Sequence, residues 1–277
     1  MTSRLDIPEL ALGPLLVPGG LWLALAMFAA ALLAARWRRR GEREAFADDE
    51  RVLWWALLAG AGGARLAYVL MHVHAYAGAP MSLLNLRDGG WSLAGGIAAV
   101  GALLLFVGWR RAARRPGLRA GALGATLGLL VVGAFTFESG AARPAAPRFA
   151  LERLSDGAPD DLRGRGPVLV VLWATWCPSC RRTLPRLREV APRYPGIRIA
   201  YLNQGETRAE VQAYADEHTL PADDVLLDPA LQWGQAAGVV GYPTLLLLDA
   251  DGRVAARAVG ELSPARIAVL LESAGAH

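Results

Sequence analysis

At 54% hydrophobic and 19% charged residues, with a mean hydropathy of +0.29, this chain of 277 residues is too apolar for an ordinary soluble protein and too charged for a bare membrane bundle. The charge is uneven: residues 1–138 carry 14 Arg against 9 acids and the remainder 15 Arg against 16, so the excess of +4 belongs to the first half. Every cation is Arg, and no basic stretch is interleaved with aromatics, which sets nucleic-acid binding aside.

Four apolar stretches, 19–35, 52–73, 92–109 and 120–137, are each long enough to span a bilayer as a helix, at the short end of the range. In the first, the charges Arg36, Arg38, Arg39 and Arg40 follow the apolar run, so it reads as an uncleaved anchor and not as a secretory leader. Loop 36–51 carries six Arg and loop 110–119 five, whereas loop 75–91 carries only Arg87 and the N-terminal tail only Arg4. The positive-inside bias then predicts both Arg-rich loops in the cytoplasm, with the N-terminus and everything after Glu138 on the outer face. Arg65 lies inside the second stretch, where a charge calls for a lipid phosphate, a structural partner or a snorkelling path. Gly124 and Gly128 form a small-xxx-small spacing that suits helix packing, and His72 and His74, two apart, share no helix face for a metal.

Residues 139–148, "SGAARPAAPR", have no apolar periodicity and read as a linker, leaving 129 residues, enough for one globular core. There "PVLVVLW" and "IRIAYLN" read as buried strands, with the amphipathic helix "CRRTLPRLREVAPRY" between them. Next come a helix "RAEVQAYADEH", a strand "DDVLLD" and a helix "ALQWGQAA". Two strands joined at Asp251-Gly252 follow, then a closing helix with Ser263 as N-cap and Pro264 at its first position. The expected architecture is an α-helical transmembrane bundle of about four helices over 1–138, a linker over 139–148, and an α/β domain over 149–277 with a central mixed sheet flanked by helices.

The only two cysteines, Cys177 and Cys180, stand in "LWATWCPSC". With the strand before them, Pro185 in the helix after them, "NQGE" at 203–206 and "GVVGYPT" at 238–244, this domain resembles the thioredoxin fold of the TlpA/ResA kind of membrane-anchored extracytoplasmic thiol-disulfide oxidoreductases. The resemblance covers 149–277 almost continuously. It implies that Pro243 is a cis-proline beside the cysteines, and it points to Glu206 as a catalytic proton acceptor, since Val171 stands where cytoplasmic thioredoxins commonly carry a buried acid.

The chemistry agrees with that pattern. Thiol-disulfide exchange needs a reactive thiolate and a second sulfur close by to resolve the mixed disulfide. At a helix start, free N–H groups and the dipole would favour a Cys177 thiolate, with Cys180 one turn in as the resolving thiol. Trp176, Pro178, Tyr242 and Thr244 are expected to shape the substrate site, while Trp173 reads as core. Two Cys with scattered His72, His74, His218 and His277 fall short of a zinc site, and a structural bridge across a two-residue gap closes too small a loop to stabilise much. No metal or cofactor is expected.

In the first half, "ALGPLLVPGGLWLALAMFAAALLA", "GGARLAYVL" and "LRDGGWSLAGG" resemble the N-terminal part of bacterial prolipoprotein diacylglyceryl transferase, over residues 11–105. Ala94 stands where that family has the His thought to act in catalysis, and the family's Arg-Gly-Asn signature has no counterpart. The resulting expectation is a multi-pass protein of the bacterial cytoplasmic membrane that reduces protein disulfides on the periplasmic side. Its expected partners are a protein disulfide, a separate membrane electron donor of the dithiol-relay type and membrane lipid, with Arg65 as a lipid-binding candidate. The alternatives are a lipid-modifying transferase with a thioredoxin appendage, or a membrane scaffold without turnover.

Overall fold

The computed structural model describes residues 10–12, 15–17, 43–85, 89–111, 144–162 and 166–274. They divide into two compact units, Met1–Val73 with Gly90–Ala141, and His74–Gly89 with Ala142–His277. The expected spans at 19–35 and 120–137, the Gly124–Gly128 pair and the first part of the linker lie outside the described residues.

Two three-residue strands, β1 (Leu10–Leu12) and β2 (Leu15–Val17), pair antiparallel. The helices that follow are α1 (Arg43–Met71), the short α2 (Val73–Ala77) and α3 (Leu93–Arg111). Helix α1 starts well before its apolar part, running through "REAFADDER" of the expected loop 36–51; these residues are mostly good helix formers. Within α1, Glu50–Met71 is 22 residues of mean hydropathy 1.3, long and apolar enough to cross a membrane, whereas the apolar part of α3, Leu93–Val107, is shorter. Trp54, Trp55, Leu58, Leu66 and Leu70 of α1 and Leu93, Leu105 and Phe106 of α3 are all exposed.

The two long helices pack through small residues. A Cβ on Gly63 would overlap the Ala99 side chain and lie 2.9 Å from the Gly95 carbonyl oxygen; one on Gly95 would overlap Ala67. Gly60 and Gly96 extend the same seam, so the backbones approach as only Gly and Ala allow. Arg65 is buried at this crossing and its Nη1 donates to the Gly90 carbonyl at 2.9 Å, while Ser92 N donates to Ala64 O at 3.0 Å. Arg65 therefore has a structural partner in the turn that leads into α3.

The second unit is built on a seven-stranded mixed sheet. Its elements in chain order are β3 (Leu151–Arg153), β4 (Pro159–Asp160), β5 (Val168–Trp173), α4 (Pro178–Val190), β6 (Arg198–Gln204) and α5 (Arg208–His218), then β7 (Val225–Asp228), α6 (Gln232–Ala236), β8 (Thr244–Leu248), β9 (Val254–Val259) and α7 (Pro264–Glu272). The strand order is β4-β3-β7-β6-β5-β8-β9; β5, β6 and β7 run parallel, and β8 pairs antiparallel with β5. Central β5 is buried along its whole length, as its unbroken apolar run requires. The segment His74–Gly89 clusters with this unit, its 3-10 turn Pro80–Leu84 lying against α7.

Local chemistry sets the element ends. Thr207 caps α5 in a capping box with Glu210, and Ser263 Oγ accepts from Arg266 N at 3.2 Å at the start of α7. Between β8 and β9 the chain turns at Gly252, with φ +72°, while Asp249 accepts from the backbone N–H of Asp251 (3.1 Å) and Arg253 (2.8 Å). Strands β3 and β4 form the far edge, tied in by Asp160, which is buried and accepts from Arg198 Nη2 at 2.9 Å and Leu162 N at 2.8 Å. Burial pulls the Arg198 guanidinium down, but Asp160 and Asp224 outweigh it and raise it above its ordinary value.

Candidate active site

The site forms where β5 ends and α4 begins. The chain leaves Trp173 through a turn closed by Cys177 N donating to Ala174 O at 3.2 Å, and Cys177 becomes the N-cap of α4. Pro178 occupies the first helical position, where its missing N–H costs nothing. Cys177 Sγ accepts from Cys180 N at 3.3 Å, so one free N–H of the helix start points at sulfur. The two cysteines are joined as a disulfide with Cα atoms 5.3 Å apart. Cys180 is fully buried and Cys177 only 4% exposed, so in this oxidised state little of the disulfide meets solvent.

Beside the pair runs the loop into β8. The Tyr242–Pro243 peptide is cis, and the Tyr242 carbonyl accepts from Ser179 Oγ at 3.3 Å; the same hydroxyl lies 3.3 Å from Cys177 Sγ. Ser179 thus links the cysteine turn to the proline loop. Trp176 is 64% exposed and meets the Tyr242 ring edge-on, with centroids 6.1 Å apart; Val240 is exposed next to them in sequence. Burial, followed by the charge of Asp228, pushes the Tyr242 phenol above its ordinary value. The residue ahead of Cys177 and the proline loop therefore present apolar and aromatic groups to solvent.

This arrangement has counterparts among known proteins. Residues 165–254 match the thioredoxin-like family model and residues 17–135 that of prolipoprotein diacylglyceryl transferase. Over 132 residues the chain is 33% identical to thiol-disulfide oxidoreductase ResA of Geobacillus thermodenitrificans, covering 46% of this chain and 75% of that protein. The chain belongs to the ResA family. It is a thiol-disulfide oxidoreductase. It is also 33% identical over 122 residues to thiol:disulfide interchange protein DsbE of Escherichia coli K12, spanning 43% of this chain and 65% of that one. Among solved structures, a putative DsbE from Chlorobium tepidum aligns at 28% identity over 48% of this chain and 95% of its own, with a TM-score of 0.43.

Of the expected residues, Cys177, Pro178 and Cys180 share the start of α4, Trp176 meets the Tyr242 ring, and the Tyr242–Pro243 peptide is joined to the cysteine turn through Ser179. Thr244 differs from expectation. It is completely buried and its Oγ1 donates to Gly241 O at 2.6 Å, so the side chain braces the proline loop from beneath and offers nothing to a docked segment. Arg65 belongs to the other unit and is engaged by Gly90. Val171 is fully buried in apolar β5, and Trp173 is core, its ring 5.2 Å from Tyr214.

Glu206 reaches the cysteine turn, though not a sulfur. Its Oε2 accepts from Thr175 N at 2.8 Å and from Asn203 Nδ2 at 2.6 Å, and its Oε1 accepts from the Thr175 hydroxyl. The Thr175 carbonyl accepts from Arg181 Nε at 2.8 Å. Thr175, Ser179 and Arg181 were not singled out from sequence: a hydroxyl inside a turn and an Arg in an Arg-rich helix carry no local signal of what they will meet. Among the described residues no group of three or more His, Cys, Asp or Glu could hold a metal.

Proposed function

We propose that this chain is a membrane-anchored reductase of protein disulfides, working through the Cys177–Cys180 dithiol on the outer face of the bacterial cytoplasmic membrane. The observation that carries the reading is Cys177 as N-cap of α4, its sulfur facing the Cys180 N–H with the cis-Pro243 loop alongside. In the reduced protein, the Cys177 thiolate attacks one sulfur of a substrate disulfide, forming a mixed disulfide and expelling a substrate thiolate. Cys180, losing its proton, then attacks Cys177 Sγ and releases the second substrate thiolate. The substrate gains two electrons and two protons, and the enzyme is left with the Cys177–Cys180 disulfide.

Trp176, Pro178 and Tyr242 offer the apolar rim for an extended substrate segment, and Pro243 its seat beside the sulfurs. The domain layout is 1–138 in the membrane, 139–148 as linker and 149–277 outside, supported by the Arg asymmetry, by the apolar helix Glu50–Met71 and by the family match over 17–135. That match also favours lipid contact by the membrane half; catalysis of acyl transfer there would lack the family's His, since the position is Ala94. Regeneration falls to a separate membrane donor of the dithiol-relay type. The test is a trap: in cells expressing Cys180→Ser, substrates should accumulate as mixed disulfides on Cys177 that a reductant releases. No adduct with Cys180→Ser, or equal adducts with Cys177→Ser, would sink the reading.

A further inference from the structure

We propose that Thr175 is a positioning residue for the attacking sulfur and that Glu206 acts through it; this rests on the reading that Cys177 attacks. Thr175 lies inside the turn that Cys177 N closes on Ala174 O, two residues ahead of the sulfur. All three of its polar groups are held, and by two different elements. Its N–H (2.8 Å) and its hydroxyl donate to the two oxygens of the Glu206 carboxylate, in the loop after β6. Its carbonyl accepts from Arg181 Nε at 2.8 Å, on α4 just after Cys180. Glu206 is itself fixed by Asn203 Nδ2, at 2.6 Å, from near the end of β6.

A turn threonine facing water would leave its hydroxyl to solvent. Here a carboxylate takes both of its donors in a charge-assisted, bidentate contact, which fixes the Ala174–Thr175 peptide, while Arg181 fixes the Thr175–Trp176 peptide that follows. Trp176 projects into solvent from a turn that cannot rotate, and Cys177 Sγ stays beside the Cys180 N–H. Glu206 spends its oxygens on Thr175 and Asn203, so its influence on the sulfurs passes through the turn. Without the clamp, Sγ in the reduced protein leaves the helix N-terminus for part of the time and its thiolate loses that stabilisation.

The test uses the full chain purified in detergent and reduced, with the rate of iodoacetamide modification of Cys177 followed against pH by peptide mass spectrometry. Thr175→Val should slow modification at pH 7 by about tenfold, the size of one charge-assisted hydrogen bond, with the profile displaced to higher pH and an unchanged plateau. Thr175→Ser, which keeps the hydroxyl, should stay within about twofold of wild type. Glu206→Gln keeps an acceptor oxygen and should fall between wild type and Glu206→Ala. A wild-type profile for Thr175→Val, or Glu206→Gln as slow as Glu206→Ala beside a silent Thr175→Val, would overturn the proposal; the second outcome would make Glu206 the direct proton acceptor. Insulin-disulfide reduction by wild type and Cys177→Ser tests the exchange reading separately, which fails if the two are equally active.

Discussion

Replacing Ser179 by Ala removes a side chain that touches both the attacking sulfur and the proline loop. Its Oγ lies 3.3 Å from Cys177 Sγ and 3.3 Å from the Tyr242 carbonyl oxygen, so a single hydroxyl proton is shared between the two acceptors. In the reduced enzyme a thiolate competes well for that proton, and a full hydrogen bond to a charged group contributes about 1.5–3 kcal/mol. Sharing and the 3.3 Å reach reduce this to about 1 kcal/mol, or about fivefold in thiolate population. Modification of Cys177 by iodoacetamide, followed from pH 5 to pH 10, should therefore be about fivefold slower in Ser179→Ala at the acid end and converge at the alkaline end. In wild type, Cys180, fully buried where Cys177 is 4% exposed, should react far more slowly than Cys177. An unchanged rate at low pH, or a slowing that persists at pH 10, would refute the idea that the hydroxyl supports the thiolate; Cys180 reacting first would reverse the roles of the two sulfurs.

Three further outcomes are expected. Burial pushes the Glu261 carboxyl up, but hydrogen bonds and charge from Arg182 (2.7 Å) and Arg186 (2.9 Å) outweigh this and hold it below the usual range. Its folded value being depressed, its stabilisation is present above about pH 4.3 and is lost as pH falls through the lower folded value. Glu261→Gln should thus cost about 1 kcal/mol at pH 7 and nothing at pH 2, as read from chemical denaturation; an equal loss at both would contradict the ion-pair account. Gly63→Leu should loosen the α1–α3 crossing and lower the aggregation temperature of detergent-purified protein, whereas Gly62→Leu, with open space around its Cβ, should not; equal behaviour would refute the crossing. Protease added to intact spheroplasts should remove residues 149–277, and protection until lysis would place the dithiol in the reducing cytoplasm.

Sequence made the central sheet legible because Val168–Trp173 and the four leucines 245–248 are unbroken apolar runs, the pattern of strands covered on both faces. Strands β3 and β4 escaped because three residues and two residues carry no periodicity; their place comes from the pairing of β3 with β7 and the Asp160–Arg198 contact of β4, both tertiary facts. The cysteines and Pro243 were readable as a motif, since the chemistry demands those residues at that spacing. Thr244 misled because its position in the motif says it is near the sulfurs, not which way its hydroxyl turns. Gly60, Gly63, Gly95 and Gly96 were visible as small residues, yet nothing in one stretch names its partner in the other. Thr175 marks the limit most clearly, because its meaning lies in Glu206, 31 positions downstream.

Electron bookkeeping separates the tasks of the two halves. Each substrate disulfide reduced leaves Cys177 and Cys180 oxidised by two electrons, and residues 1–138 contain no cysteine through which a dithiol relay could return them. On the proposed reading the reducing equivalents reach the domain from its own side of the membrane, carried by another protein's dithiol. That donor must reach a sulfur of the same disulfide, and Cys177, 4% exposed beside the exposed Trp176, is the less buried of the two cysteines. Donor and substrate then exclude each other from a single face, so the enzyme alternates between them. Anchoring matters in such a scheme because it confines the domain to the layer where a membrane-bound donor presents its thiols, raising their effective concentration without any added contact.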